Sequence, residues 1–119
     1  MIYYQDREFL GSNPYYYPEK CGLTIVAEIE LEVQDYSYNT IVVWKHESGR
    51  LFSAHDSGCS CPTPFENFCR LSDLTELTPY ALNELRNTIY THEDVTPQAA
   101  QEFLYKVKAA LSNAKESVK

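Results

Sequence analysis

No segment of this 119-residue chain approaches the ~18 consecutive apolar residues that a bilayer-spanning helix requires. Its first residues, Met1-Ile2-Tyr3-Tyr4-Gln5-Asp6-Arg7-Glu8, lack the basic stretch and following apolar run of a secretory leader. A reducing cytosol is the compartment this implies, and there four cysteines point to thiols or metal ligands over disulfides. Positive charge is scarce as well, with ten Lys and Arg against 17 Asp and Glu for a net −7. Residues 1–105 hold 16 acidic and 6 basic side chains, whereas the last fourteen residues hold four lysines against Glu116. A body so poor in cations disfavours phosphate contacts, which argues against direct nucleic-acid binding. A solvated surface is the plain use of the carboxylates, and ordered carboxylates imitating a nucleic acid are the alternative. Internal repeats, low-complexity segments, a glycine-rich phosphate loop and a nucleophile elbow are all missing.

What is present reads as one α+β domain of common size. Residues 1–20 form an irregular aromatic arm, broken at Asn13-Pro14 and Tyr17-Pro18 because a residue preceding proline is pushed to extended conformations. Tyr3, Tyr4, Tyr15, Tyr16 and Tyr17 either cover a sheet face or make an exposed adhesive patch, and the rarity of large exposed aromatic patches favours the cover. Residues 22–56 are a three-stranded antiparallel meander. In its first strand Ile25, Ala27, Ile29, Leu31 and Val33 alternate with Glu28, Glu30 and Glu32, the pattern of a half-buried strand with one wet face. Asp35–Asn39 is a turn, Thr40–His46 a β-branched and more deeply buried strand, Glu47–Arg50 a tight hairpin and Leu51–His55 the third strand. Trp44 is a core anchor, while His46 and His92 read as exposed. Residues 57–77 are a Cys/Pro loop and connector, in which Leu71, Leu74 and Leu77 fit a helical turn or an extended segment equally. The helical part, 78–119, holds one or two helices packed on the sheet. Thr78-Pro79 and Thr96-Pro97 are paired start signals, followed by Leu82, Leu85 and Ile89 and then by Ala100, Phe103, Leu104, Val107 and Leu111 at helical spacing.

The densest chemistry runs from His55 to Cys69, where three of the four cysteines lie within fifteen residues of one histidine. Gly58, Pro62 and Pro64 are expected to keep this stretch out of regular structure. His55, Cys59, Cys61 and Cys69 would supply a tetrahedral zinc set by donor type. Their spacing is not that of paired C-x2-C knuckles, so the expectation is no cofactor, with reduced, metal-free thiols packing a Gly/Pro corner. A catalytic cysteine would need a base such as His55 or His46 and has no oxyanion array beside it. Glu28, Glu30 and Glu32 on one wet face lack the contrasting environments that make an acid–base pair.

Trp44, the Ser48-Gly49 hairpin, the string Asp56-Ser57-Gly58-Cys59-Ser60-Cys61-Pro62-Thr63-Pro64-Phe65-Glu66 and the stretch Lys106–Leu111 together resemble a family of small uncharacterised proteins of actinobacterial bacteriophages. That family joins a strand pair ending in a Gly-Cys-Ser-Cys-Pro-type corner to a C-terminal helical part. The arm, Cys21 and Cys69 lie outside the resemblance. It implies no activity, only a phage gene product acting in the host cytoplasm. The function expected is therefore a non-enzymatic, acidic protein-binding module for a host or phage protein. Tyr15, Tyr16, Tyr17, Glu28, Glu30 and Glu32 are its candidate contacts, and no membrane or nucleic acid is involved. A zinc-stabilised adaptor is the alternative, and a cysteine-dependent enzyme the third reading.

Overall fold

Thr40, Ile41, Val42, Val43 and Trp44 are all buried in succession, so this strand has cover on both of its faces. The computed structural model describes residues 10–32, 37–59, 64–68 and 70–117, without the side chains of Cys59 and of residues 113–117. Strands β1 (Leu23–Glu30), β2 (Ser37–His46), β3 (Leu51–Cys59) and β4 (Thr75–Glu76) form one antiparallel sheet in chain order. Helices α1 (Pro79–Thr91) and α2 (Pro97–Ser117) follow. Ile41 and Val43 point into a core shared with the helices, among Ile29, Leu31, Ile89, Phe103 and Val107. Val42 and Trp44 point the other way, into a second core with Leu10, Cys21, Phe52 and Phe65. The sheet is thus sandwiched between the helix pair and the aromatic arm, and its glutamate side is less wet than its alternation predicts.

The alternation itself is broken in β1. Ile25 pairs with Trp44 and Ala27 pairs with Val43, which leaves Val26 as an extra residue in a bulge. A strand with period two would put Ile25 and Ala27 on one face. The bulge puts Leu23 and Ile25 against the arm-side core, while Ala27, Ile29 and Leu31 stay under the helices. Ile25 therefore leaves the face on which its spacing predicts it.

Two boundaries also differ from expectation. Ser37, Tyr38 and Asn39 extend β2 and pair with Cys59, Gly58 and Ser57, so β3 runs four residues past His55 into the cysteine segment. The Tyr38 side chain crosses Gly58 closely, and a Cβ there would lie 3.3 Å from its hydroxyl. That hydroxyl donates to Asp56 Oδ2 at 3.2 Å. Tyr3 and Tyr4 of the expected cover, Val33, the Asp35-Tyr36 half of the expected turn, and Cys61 and Cys69 lie outside the described residues.

The sheet has four strands, not three. The connector is a short 3-10 turn (Leu71–Asp73) followed by β4, which pairs with Phe52 and Ser53 of β3. Leu74 enters the arm-side core and Leu77 the helix-side core, so β4 carries the chain from one layer to the other. Two residues are too few for an alternation pattern to register. Arg50 clasps the start of β3 to β4 through a two-pronged pair with Glu76, Nη2–Oε1 at 2.5 Å and Nε–Oε2 at 3.1 Å. Both helices begin where Thr-Pro predicts: the Thr78 hydroxyl accepts from the Ala81 amide at 3.2 Å and Thr96 accepts from Ala99 at 3.1 Å. Among the described residues, no helix is long and apolar enough to cross a membrane.

Candidate functional site

The arm is built by Asn13. Its side-chain oxygen accepts from the amides of Tyr15 and Tyr16, at 2.8 and 3.2 Å, and its amide donates to Pro64 O at 2.9 Å. An Asx turn of this kind lets Asn-Pro reverse the chain. The reversal lays Pro14 over Trp44, whose Nε1 donates to Pro14 O at 2.9 Å. Phe65, fully buried and at a positive φ of 64°, packs edge-on to Trp44 and against Tyr15 and Phe68. Its amide donates to Asp56 Oδ2 at 2.8 Å, which ties the chain at Phe65 to β3. Tyr15 is accordingly a cover, as expected. Tyr16 and Tyr17 are 51% and 50% exposed, so these two belong to the surface patch. Lys20 sits 4.8 Å over the Tyr17 ring.

The carboxylates lie beside these rings. Tyr15 donates its hydroxyl to Glu28 Oε1 at 2.7 Å. Desolvation, then that hydrogen bond, then the negative charge of Glu28, push the Tyr15 phenol up to about 12. Because the folded value lies above the unfolded 10.0, the stabilising contribution is complete below about pH 10 and is lost as pH rises towards 12. Ultraviolet titration of the wild type against Tyr15→Phe should reveal one late-ionising phenol, moved down by Glu28→Gln. A Tyr15 that ionises near pH ~10, the ordinary tyrosine value, would rule this geometry out.

Glu30 and Glu32 are not a free row. Glu30 accepts from the Asn39 amide at 2.6 Å and from the Thr40 hydroxyl at 2.5 Å. Glu32, half-buried, turns towards the helix side, where Oε1 accepts from Asn39 Nδ2 at 2.8 Å and meets His92 Nε2 at 3.4 Å. Asn39 Oδ1 in turn bonds His55 Nε2. A polar chain His55–Asn39–Glu32–His92 therefore runs from β3 through β2 to the loop between the helices. His92 is half-buried in it, not a solvated loop residue. Its Nδ1 is shielded from solvent and has no hydrogen-bond partner among the described residues. Desolvation holds the His55 imidazole below its ordinary value, against the opposing pull of Asp56, with His92 adding to the lowering. At the other end of β2, His46 is half-buried, and its Nδ1 lies 2.9 Å from Ser48 Oγ in the hairpin.

The family model described as Domain of unknown function (DUF7574) matches residues 12–117, from the Asn13 turn to the end of α2. The chain belongs to this family. No curated protein and no solved structure matches the chain. The DUF7574 match spans both layers over the sheet, so residues 12–20 of the arm are as much part of the domain as the helices.

Of the four proposed zinc donors, His55 is described, and its Nε2 is engaged by Asn39; the thiols of Cys59, Cys61 and Cys69 lie outside the described residues. Among the described residues, no group of three or more His, Cys, Asp or Glu is placed to hold a metal ion. Cys21 is buried, its thiol donates to Ser12 O at 3.3 Å, and burial pushes its pKa up, as suits a packing thiol. Asn39, read as a turn residue, Thr40, read as a strand residue, and His92, read as exposed, instead hold the glutamates. The facing positions of Asn39 and Thr40 relative to the glutamates become legible only once the β1–β2 register is known.

Proposed function

We propose that this chain is a non-enzymatic protein-binding module, encoded by a phage and acting on a host or phage protein in the host cytoplasm. The observation that carries the reading is the patch in which exposed Tyr16 packs edge-on to Tyr15, whose hydroxyl holds Glu28 and whose phenol also feels the charge of Glu30, with exposed Tyr17 next in the chain. Tyrosine offers large contact area at low entropic cost, and glutamates already held by Tyr15, Asn39 and Thr40 are presented without further ordering. Such a patch suits a partner segment with cations flanking an apolar or aromatic residue. The thiols stay reduced and metal-free in this reading; one zinc per chain by elemental analysis would overturn that part of it.

The test has to respect the internal role of the glutamates. Reversal of Glu30 to lysine would leave the Thr40 hydroxyl and Asn39 amide facing an ammonium, so a lost partner could simply reflect a damaged fold. Glutamine keeps the acceptors and removes the charge. Full-length protein as bait in an actinobacterial lysate should retain a specific partner, identified by mass spectrometry. Tyr16→Ala/Glu28→Gln/Glu30→Gln should lose it at least tenfold while melting within a few degrees of wild type. Equal capture by both baits would remove this surface from consideration.

A further inference from the structure

The helix pair presents a second surface of opposite chemistry. Arg86 and Tyr90 lie one turn apart on α1, and Gln101, Tyr105 and Lys108 share one stripe of α2. Together with Leu104 they line an open cleft of about 210 Å³. Leu104, 7% exposed, is its apolar floor, while Tyr90 and Tyr105, 48% and 74% exposed, stand over it. The Arg86 guanidinium lies 5.9 Å from the Tyr90 ring centroid, an arrangement that orders the cation before anything binds. Among the described residues no carboxylate lines this cleft, although the chain as a whole carries a net −7. Tyrosine and arginine around an apolar floor are the residue types that dominate binding energy at interfaces.

We infer that the α1–α2 cleft is a second docking site, which takes an acidic segment of a partner protein, its one large apolar side chain seated over Leu104 and its carboxylates on Arg86 and Lys108. Charge complementarity selects this occupant. Arg86 can grip a carboxylate with two parallel hydrogen bonds, and Lys108 offers a point charge at the other lip. The cleft has room for about one side chain. A nucleic acid strand, with a phosphate every ~3.4 Å, would need a longer run of cations than two and would be repelled by the acidic body. A second copy placed with the same face inward would set Arg86 and Lys108 against their own kind. The site is separate from the tyrosine–glutamate patch, because the arm and the helices cover opposite faces of the sheet. A chain with both sites would bridge a basic segment and an acidic one.

The decisive experiment is selection of a displayed random dodecapeptide library on the full-length protein, followed by titration of the winning peptide into ¹⁵N-labelled protein. Enrichment of Asp and Glu around one Leu, Phe or Trp is expected, with chemical-shift changes centred on Arg86, Tyr90 and residues 101–108. Arg86→Glu/Lys108→Glu should weaken the peptide at least tenfold with an unchanged melting temperature, since both side chains are exposed. Tyr16→Ala/Glu28→Gln/Glu30→Gln should bind it as the wild type does, which separates this inference from the proposed function. Neutral, basic or absent enrichment would overturn the assignment, as would an acidic peptide held equally by the charge-reversed variant. Binding of a twenty-nucleotide oligothymidylate, or dimerisation in sedimentation, that the same double variant abolishes would assign the cleft to another occupant and overturn it too.

Discussion

Trp44→Ala is expected to destabilise the domain by about 3–5 kcal/mol, the range for removing a large aromatic from a packed core. Trp44 is fully buried, stands edge-on to Phe65, and its indole N–H satisfies the carbonyl of Pro14, itself buried. Its loss removes the contact that seats the arm, so Tyr15 should also lose its partner Glu28 and ionise like an exposed phenol. Trp44→Phe separates the two contributions. It keeps much of the packing but orphans the Pro14 carbonyl, at a cost of about 1–3 kcal/mol. Equilibrium denaturation of the two variants measures both values. An alanine variant as stable as the phenylalanine one would mean that the arm is held by something other than this indole.

The second large effect concerns strand register. β1 contains one residue more than β2 opposes, and Val26 is that residue. Deleting Val26 leaves Ile25 opposite Trp44 and Ala27 opposite Val43 in a regular ladder, with every other side chain on its present face. The lost partial burial of one valine sets the expected cost below about 2 kcal/mol, with cooperative unfolding retained. Deleting Val43 has no such remedy. β2 is paired on both sides, and a one-residue slip there sends Trp44 or Ile41 to the wrong core. That variant should show no cooperative transition, because domains of this size are stable by only about 5–15 kcal/mol. Circular dichroism melts of the two deletions check the contrast, and an unfolded Val26 deletion would show the bulge to be indispensable.

Local signals carried the sequence reading a fair distance. Thr-Pro starts, apolar helical spacing in α1 and α2, and the Thr40–Trp44 run are short-range patterns, and the elements they predict are present. The bulge was visible in part, since Ile25-Val26-Ala27 is three apolar residues where strict alternation allows a polar one. What could not be read was whatever depends on partners distant in sequence. β4 is a strand only because Phe52 and Ser53 accept it as one, and Gly58 is part of β3 because it pairs with Tyr38 of β2. The same holds for the site. Glu28, Glu30 and Glu32 look alike along the chain, yet one supports a tyrosine, one fastens β1 to β2, and one leaves the row for His92.

The polar chain from His55 to His92 has a direction. Asn39 gives its amide hydrogen to Glu32, so the oxygen facing His55 is an acceptor and the His55 proton resides on Nε2. Glu32 can only accept, so His92 must likewise present Nε2–H to it. Donors from both ends thus converge on one carboxylate, and both imidazoles are held in the same tautomer. A carboxamide passes on orientation but does not relay a proton, and Asn39 therefore separates the two histidines as an insulator. No proton path joins the two rings, while their positions on β3 and in the interhelical loop stay mechanically linked.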